Sequence, residues 1–81
     1  MIRFKLLDFI EENGITRGAL AREAKVRPNA VYEMCDNKTK RVDLDTFDKI
    51  LETLSNMTGR DVILADVLEY VPNKKDGSPS P

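Results

Sequence analysis

The sequence has little of what catalytic and metal sites are built from. Its 81 residues contain no histidine, no tryptophan and a single cysteine, Cys35. The commonest general base, the usual zinc ligand sets and an internal disulfide are therefore excluded. A glycine-rich phosphate loop is absent as well, so the sequence argues against an enzyme and predicts neither a metal nor a cofactor. We interpret Cys35 as a small apolar residue near a helix end.

Long apolar runs are also missing. No stretch approaches the roughly 20 residues needed to cross a bilayer, and the N-terminal residues lack the uninterrupted apolar region of a signal peptide. We therefore expect a cytoplasmic protein that does not enter a membrane. The sequence shows no run of β-branched or aromatic residues alternating with period two, whereas its 41% apolar residues recur at helical spacing. The expected fold class is all-α, a compact bundle of about five short helices.

Charge is distributed unevenly along the chain. The net charge is only −1, which alone would argue against a nucleic-acid-binding protein. However, residues 1–42 carry a net charge of +3 and the remaining residues −4. This polarity is expected if the first half faces phosphates. We divide the chain into one domain over residues 1–72 and a disordered tail, NKKDGSPSP, over residues 73–81.

The stretch from residue 16 to residue 36 predicts two short helices packed at an angle. Leu20 and Ala24 lie one turn apart on the first helix, and Val31 and Met34 are neighbours on the second. The stretch also supplies four of the 13 basic side chains. The other segments are interpreted as support for it.

The ends of these two helices are marked by cap and turn residues. The hydroxyl of Thr16 suits an N-cap, and Ala24 is near the end of the first helix. Pro28 suits the first turn of the second helix, where its missing N–H costs nothing. The three residues between, 25–27, complete the geometry of a helix-turn-helix.

One apolar pattern runs through these two helices and the next one: Leu20, Ala21, Ala24, Val26, Val31, Met34, Leu44, Phe47, Ile50, Leu51 and Leu54. In this pattern the chain resembles the Cro and phage-repressor type of helix-turn-helix protein, also called the xenobiotic-response-element (XRE) family. The resemblance covers roughly residues 4–71. It departs at Lys25, where the family usually has glycine and where a left-handed backbone costs lysine about 1 kcal/mol.

The resemblance implies a lambda-repressor-like bundle and a DNA-binding transcriptional regulator, a repressor. Helix 28–35 would read the major groove of double-stranded DNA. With Val31 and Met34 turned inward, the predicted base contacts are Arg27, Asn29, Ala30, Tyr32 and Glu33. Asn29 suits adenine, Arg27 suits guanine or a phosphate, and Glu33 suits cytosine N4.

Phosphate contacts are predicted from basic residues around the two helices. Arg17 begins the first of them, where the helix dipole adds to its charge. In the resembled family the loop after the second helix runs along the DNA backbone. The predicted set is Arg17, Lys25, Lys38, Lys40 and Arg41. For these residues, as for the base-contacting set, a solvated surface without a specific role is the alternative.

The remaining segments are predicted as follows. A first helix spans residues 3–12 and ends at Asn13-Gly14. Asp43 caps a fourth helix over residues 44–57, whose apolar stripe, from Leu44 to Leu54 and extending towards Met57, faces the core. After a short extended piece, a last helix spans residues 65–70.

The last segment crowds more apolar side chains together than one face of a short helix hides. It either seals the core or pairs with a second copy, and the sequence leaves both open. Related repressors dimerise, so we predict a homodimer. The predicted dimer or partner surface is Leu64, Val67, Leu68, Tyr70 and Val71. An alternative function is an antitoxin or regulatory adaptor that binds a protein partner through this segment.

Overall fold

The computed structural model describes residues 1–72. Its elements in chain order are β1 (Ile2–Phe4), α1 (Leu6–Glu12), α2 (Arg17–Ala24), α3 (Pro28–Cys35), α4 (Leu44–Thr58), α5 (Leu64–Val67) and β2 (Leu68–Tyr70). The predicted helical class is thus confirmed for this part of the chain. The predicted tail, residues 73–81, lies outside the described residues.

The predicted caps are present at the starts of α2, α3 and α4. The Ala19 N–H donates to the Thr16 hydroxyl oxygen at 3.1 Å, and Pro28 occupies the first turn of α3. The Asp43 carboxylate accepts from both the backbone N–H and the hydroxyl of Thr46, each at 3.0 Å. These local bonds set where each helix begins, as the sequence indicates.

The turn between α2 and α3 depends on one left-handed residue. Lys25 has φ 59° and ψ 41°, a conformation that L-residues other than glycine rarely adopt. It lets the Val26 N–H bond back to the Ala21 carbonyl at 3.1 Å, which closes α2 in a Schellman motif. The chain can then leave α2 sharply enough for α3 to pack across it.

The core lies between the helices, and α2 packs against both α3 and α4. Two alanines on α2 allow the close approach, since their small side chains leave room for those of the neighbouring helices. The buried apolar residues are Leu6, Phe9, Ile10, Ile15, Leu20, Ala21, Ala24, Val31, Met34, Cys35, Phe47, Ile50, Leu54 and Val67. Val26 and Leu51 are partly buried against this core.

A small antiparallel sheet corrects two predicted helices. Residues 2–4 form β1, so the predicted helix 3–12 begins only at Leu6, and residues 68–70 form β2 in place of the end of the predicted helix 65–70. In the register, Ile2 pairs with Tyr70 and Phe4 with Leu68. Long-range pairing overrides helical spacing here, because each strand has apolar residues at alternate positions.

Asn37 ties the end of α3 to β1. Its backbone is left-handed, with φ 58°, as an asparagine after a helix can be. Its side-chain amide accepts from the Phe4 N–H at 2.6 Å and donates to the Phe4 carbonyl at 3.1 Å. The amide therefore bonds both backbone polar groups of Phe4 on the outer edge of β1 and holds the strand beside the predicted recognition helix.

The start of α4 contradicts another prediction. Leu44 was expected in the core, yet 78% of it is exposed, and Met57 at the other end of α4 is also exposed. Leu44 is the first residue of the helix, one turn before Phe47, where the stripe runs past the edge of the core. The buried stripe of α4 therefore begins at Phe47.

None of the helices found within residues 1–72 is long and apolar enough to cross a membrane.

Replacing Lys25 with glycine is expected to stabilise the protein. Glycine adopts a φ of 59° without the steric cost that lysine bears, a gain of about 1 kcal/mol. For a domain of this size the melting temperature should rise by roughly 4–8 °C in thermal denaturation followed by circular dichroism. The matched control, Glu23→Gly, places glycine in the exposed face of α2 and should cost about 1 kcal/mol. A Lys25→Gly protein no more stable than the wild type would contradict this account.

Candidate nucleic-acid interface

The outer face of α3 presents polar side chains to solvent. Arg27, Asn29, Tyr32 and Glu33 are exposed, whereas Ala30 is half-buried. The opposite face is held down by a completely buried valine and a nearly buried methionine, Val31 and Met34, as the spacing predicts. The structure thus places Asn29, Tyr32 and Glu33 on the accessible side of α3, and Arg27 is exposed immediately before the first residue of the helix.

Two residues predicted for different roles are in contact. The Arg17 guanidinium carbon lies 5.0 Å from the centroid of the Tyr32 ring. This is a cation–π arrangement, in which the ring stabilises the charge and restricts where the guanidinium points. Since Arg17 begins α2 and Tyr32 lies on α3, the contact joins the two helices at the surface. The sequence predicts both residues but not their pairing.

The predicted phosphate-binding cations are accessible and unpaired within residues 1–72. Arg17, Lys25, Lys38, Lys40 and Arg41 are all exposed. The salt bridge found in the described part of the chain joins two other residues, Arg3 and Glu69, at 2.7 Å. The predicted cations therefore need not break an internal ion pair to meet an anion.

Lys40 differs from the other cations in its surroundings. It lines an apolar groove of about 510 Å³, formed between the sheet, the loop after α3 and the start of α4. The walls of this apolar groove include Ile2, Phe4, Val42, Leu44, Leu64 and Leu68.

The predicted dimer or partner segment is divided by the fold. Val67 is completely buried and is therefore a core residue, not part of a docking surface. Leu64, Tyr70 and Val71 are exposed, and Leu68 is half-buried. One residue of this segment therefore seals the core, and the others remain accessible at the surface.

Cys35 lies at the inner side of α3 and is buried. Burial raises the pKa of its thiol from the ordinary value of 9.0 to about 11. Arg17 opposes this rise, and the carboxylates of Asp36 and Glu11 add to it. The thiol stays protonated and inaccessible near neutral pH, which fits a packing role.

Sequence reasoning missed the positioning role of Asn37. Its left-handed backbone could be expected from an asparagine after a helix, but its partner, Phe4, lies 33 positions earlier. Within residues 1–72, no group of three or more histidine, cysteine, aspartate or glutamate side chains is arranged to hold a metal ion.

Comparison with known proteins identifies one family. A family model described as Cro/C1-type HTH DNA-binding domain, where HTH denotes helix-turn-helix, matches residues 5–73, which includes all five helices and β2. Neither the curated proteins nor the solved structures contain a match.

The raised pKa of Cys35 predicts a loss of stability at high pH. Below pH 9 the thiol is protonated in both the folded and the unfolded protein. Between pH 9 and 11 it ionises only when unfolded, so the free energy of unfolding should fall, by about 1–2 kcal/mol at pH 10.5. The measurement is urea denaturation between pH 8 and 10.5 for the wild type and for Cys35→Ala.

The control for this prediction is the difference between the two curves, because every ionisable group other than the thiol is the same in both proteins. Cys35→Ala should start less stable and then lose less as the pH rises. Parallel curves would show that burial does not hold the thiol protonated.

Proposed function

The chain belongs to the Cro/C1-type family of helix-turn-helix DNA-binding domains, and we propose that it is a repressor that binds a specific DNA sequence as a homodimer. Membership of this family supports a DNA-binding transcriptional regulator. The proposal adds the reading element, α3, the residues that contact the DNA, and the number of copies.

The observation that carries the proposal is the two-sided character of α3. Val31 and Met34 bury one side against the body of the protein, while the other side exposes side chains that can bond base edges. A helix held in this way can enter the major groove without unfolding or exposing apolar surface. Its polar face is supported by cations on both sides along the chain.

The exposed residues on α3, together with Arg27 immediately before it, match the donor and acceptor pattern of particular bases. Asn29 is suited to a bidentate pair with adenine, Arg27 to guanine, and Glu33 to the amino group of cytosine. Ala30 offers only a half-buried methyl group, suited to a thymine methyl. The contact between Arg17 and Tyr32 favours a positioning role for Tyr32, whose ring holds the guanidinium at the edge of the interface.

Phosphate contacts fix the register of the protein on the duplex. Arg17 stands at the first position of α2, where the free backbone N–H groups and the helix dipole also favour an anion. Lys25 lies in the turn before α3, and Lys38 and Arg41 lie in the loop after it. The cations therefore flank α3 on both sides along the chain.

The small size of one recognition helix supports binding by two copies of the chain. A single helix of eight residues contacts few base pairs, and related proteins reach tight binding with two half-sites about 34 Å apart. Repression needs no further surface, since a dimer bound across a promoter excludes other proteins by occupancy.

The proposal is tested by selecting bound duplexes from a random DNA pool with the wild type, Arg27→Ala and Asn29→Ala. The wild type should enrich a palindrome. Each variant should lose about 1–3 kcal/mol of discrimination at one position of each half-site, since one bidentate pair is removed. Asn56→Ala, an exposed asparagine on α4, is the matched control and should enrich the same palindrome as the wild type.

The selection would overturn the proposal in two ways. A folded wild-type protein that enriches no sequence at low salt would not be a sequence-specific regulator. A palindrome read identically by both variants would place the base contacts elsewhere on the protein.

Two substitutions of Tyr32 distinguish a positioning role of its ring from base contact by its hydroxyl. Tyr32→Phe keeps the ring under Arg17 and should bind the selected operator within about twofold of the wild type. Tyr32→Ala should weaken binding by roughly two- to fivefold, and combining it with Arg17→Ala should cost no more than Arg17→Ala alone. Fluorescence anisotropy with labelled operator measures the wild type and the four variants. A loss of sequence preference in Tyr32→Phe would instead assign the hydroxyl to a base.

A further inference from the structure

The apolar groove and the surface beside it leave large apolar side chains uncovered. Ile2 is 68%, Leu64 54% and Tyr70 68% exposed, in addition to Leu44 at 78%. These side chains are contiguous, because a second, shallower depression beside the groove is also lined by Ile2, Leu64 and Leu68. Contiguous exposed apolar surface of this kind marks an interaction site.

The monomer leaves most of Leu44 uncovered. It is the first residue of α4, and the helix is already capped by Asp43. Ile2 and Tyr70 form the outermost pair of the sheet, beyond the point where Phe4 reaches the core through its edge-to-face contact with Phe47. The fold therefore extends its sheet and its longest helix past its own core.

We propose that a second copy of the chain covers this surface, through an interface that is related by a two-fold axis and centred on Ile2, Leu64 and Leu68. The proposal rests on the proposed function, in which the DNA is bound by the recognition helices of two copies, and it names the surface that joins the copies. The proposed interface is larger than the C-terminal segment predicted from the sequence, because it also includes β1, the loop after α3 and the start of α4.

The shape of the surface fits a copy of itself. A two-fold interface brings the same patch of both copies together, so the patch must contain both projections and depressions. Here the two depressions flank the shared residues Ile2, Leu64 and Leu68. The side chains that project between the depressions on one copy can enter those of the other.

The charges at the two ends of the surface also fit a copy of itself. Lys40 lines the apolar groove at one end, and Glu69, whose carboxylate also pairs with Arg3 of the same chain at 2.7 Å, lines the second depression at the other. A two-fold axis through the shared residues brings Lys40 of each copy to Glu69 of the second copy. Lys40 is thereby assigned to the interface, and the phosphate contacts of the loop fall to Lys38 and Arg41.

The test is the association state of the full chain without DNA, measured by sedimentation equilibrium from about 1 to 200 µM. The wild type should show a reversible dimer of twice the 9.2 kDa monomer mass. Leu44→Ser should weaken association on the order of a hundredfold, since each dimer buries Leu44 twice. Because Leu44 is exposed in the monomer, the Leu44→Ser protein should have the same melting temperature as the wild type when both are dilute monomers.

The matched control is Met57→Ser, an exposed apolar residue on the same helix but outside both depressions. It should associate like the wild type. Charge exchange supplies a second test. Lys40→Glu and Glu69→Lys should each weaken the dimer, and the two together should recover most of the loss, although Arg3 then loses its intrachain partner.

The outcomes separate this inference from the proposed function. A wild type that remains monomeric with and without its selected operator overturns the inference and the homodimer of the proposed function, whereas a dimer unaffected by Leu44→Ser overturns the inference alone. Failure of the double charge exchange to recover association overturns the two-fold arrangement. A protein that dimerises as described but selects no DNA overturns the proposed function alone. Association that requires a different protein would show that the surface docks such a partner.

Discussion

The orientation of α3 depends on how it packs against α2. Val31 and Leu20 are completely buried, and Met34, Ala21 and Ala24 are nearly so. Rotating α3 would expose two large apolar side chains, at a cost of about 1.5–3 kcal/mol each. The same packing therefore holds the core together and determines which side chains of α3 face outward. The left-handed turn at Lys25 accepts a steric cost to make it possible.

The parts that could be predicted from the sequence are those determined by nearby residues. Thr16, Pro28 and Asp43 mark helix starts through bonds or conformations that span only a few positions, and the structure has each helix where they indicate. The inward placement of Val31 and Met34 follows from helical spacing in the same way. For this reason the helix-turn-helix and the exposed face of α3 could be derived before the fold was known.

The parts that could not be predicted depend on distant residues. The alternation of Ile2, Arg3 and Phe4 is visible in the sequence, but three residues also fit a helix, and only the pairing with β2 decides between them. Leu44 continues a helical stripe whose end is set by the extent of the core, which spacing does not reveal. Val67 reads as a surface candidate until the sheet and α1 enclose it. The stacking of Arg17 on Tyr32 likewise requires the angle between two helices.

The small sheet has a consequence for the order in which the protein folds. It joins Ile2 to Tyr70, 68 positions apart, and closing a chain segment of that length costs roughly 4 kcal/mol in conformational entropy. Three residue pairs offset little of this cost alone, so the strands can meet only after the helices have brought their ends together. The unit formed by α2 and α3 uses contacts close in the sequence and can form early. The apolar groove needs both ends of the domain, so we expect a folding chain to form the helix-turn-helix before the surface that is proposed to meet another copy.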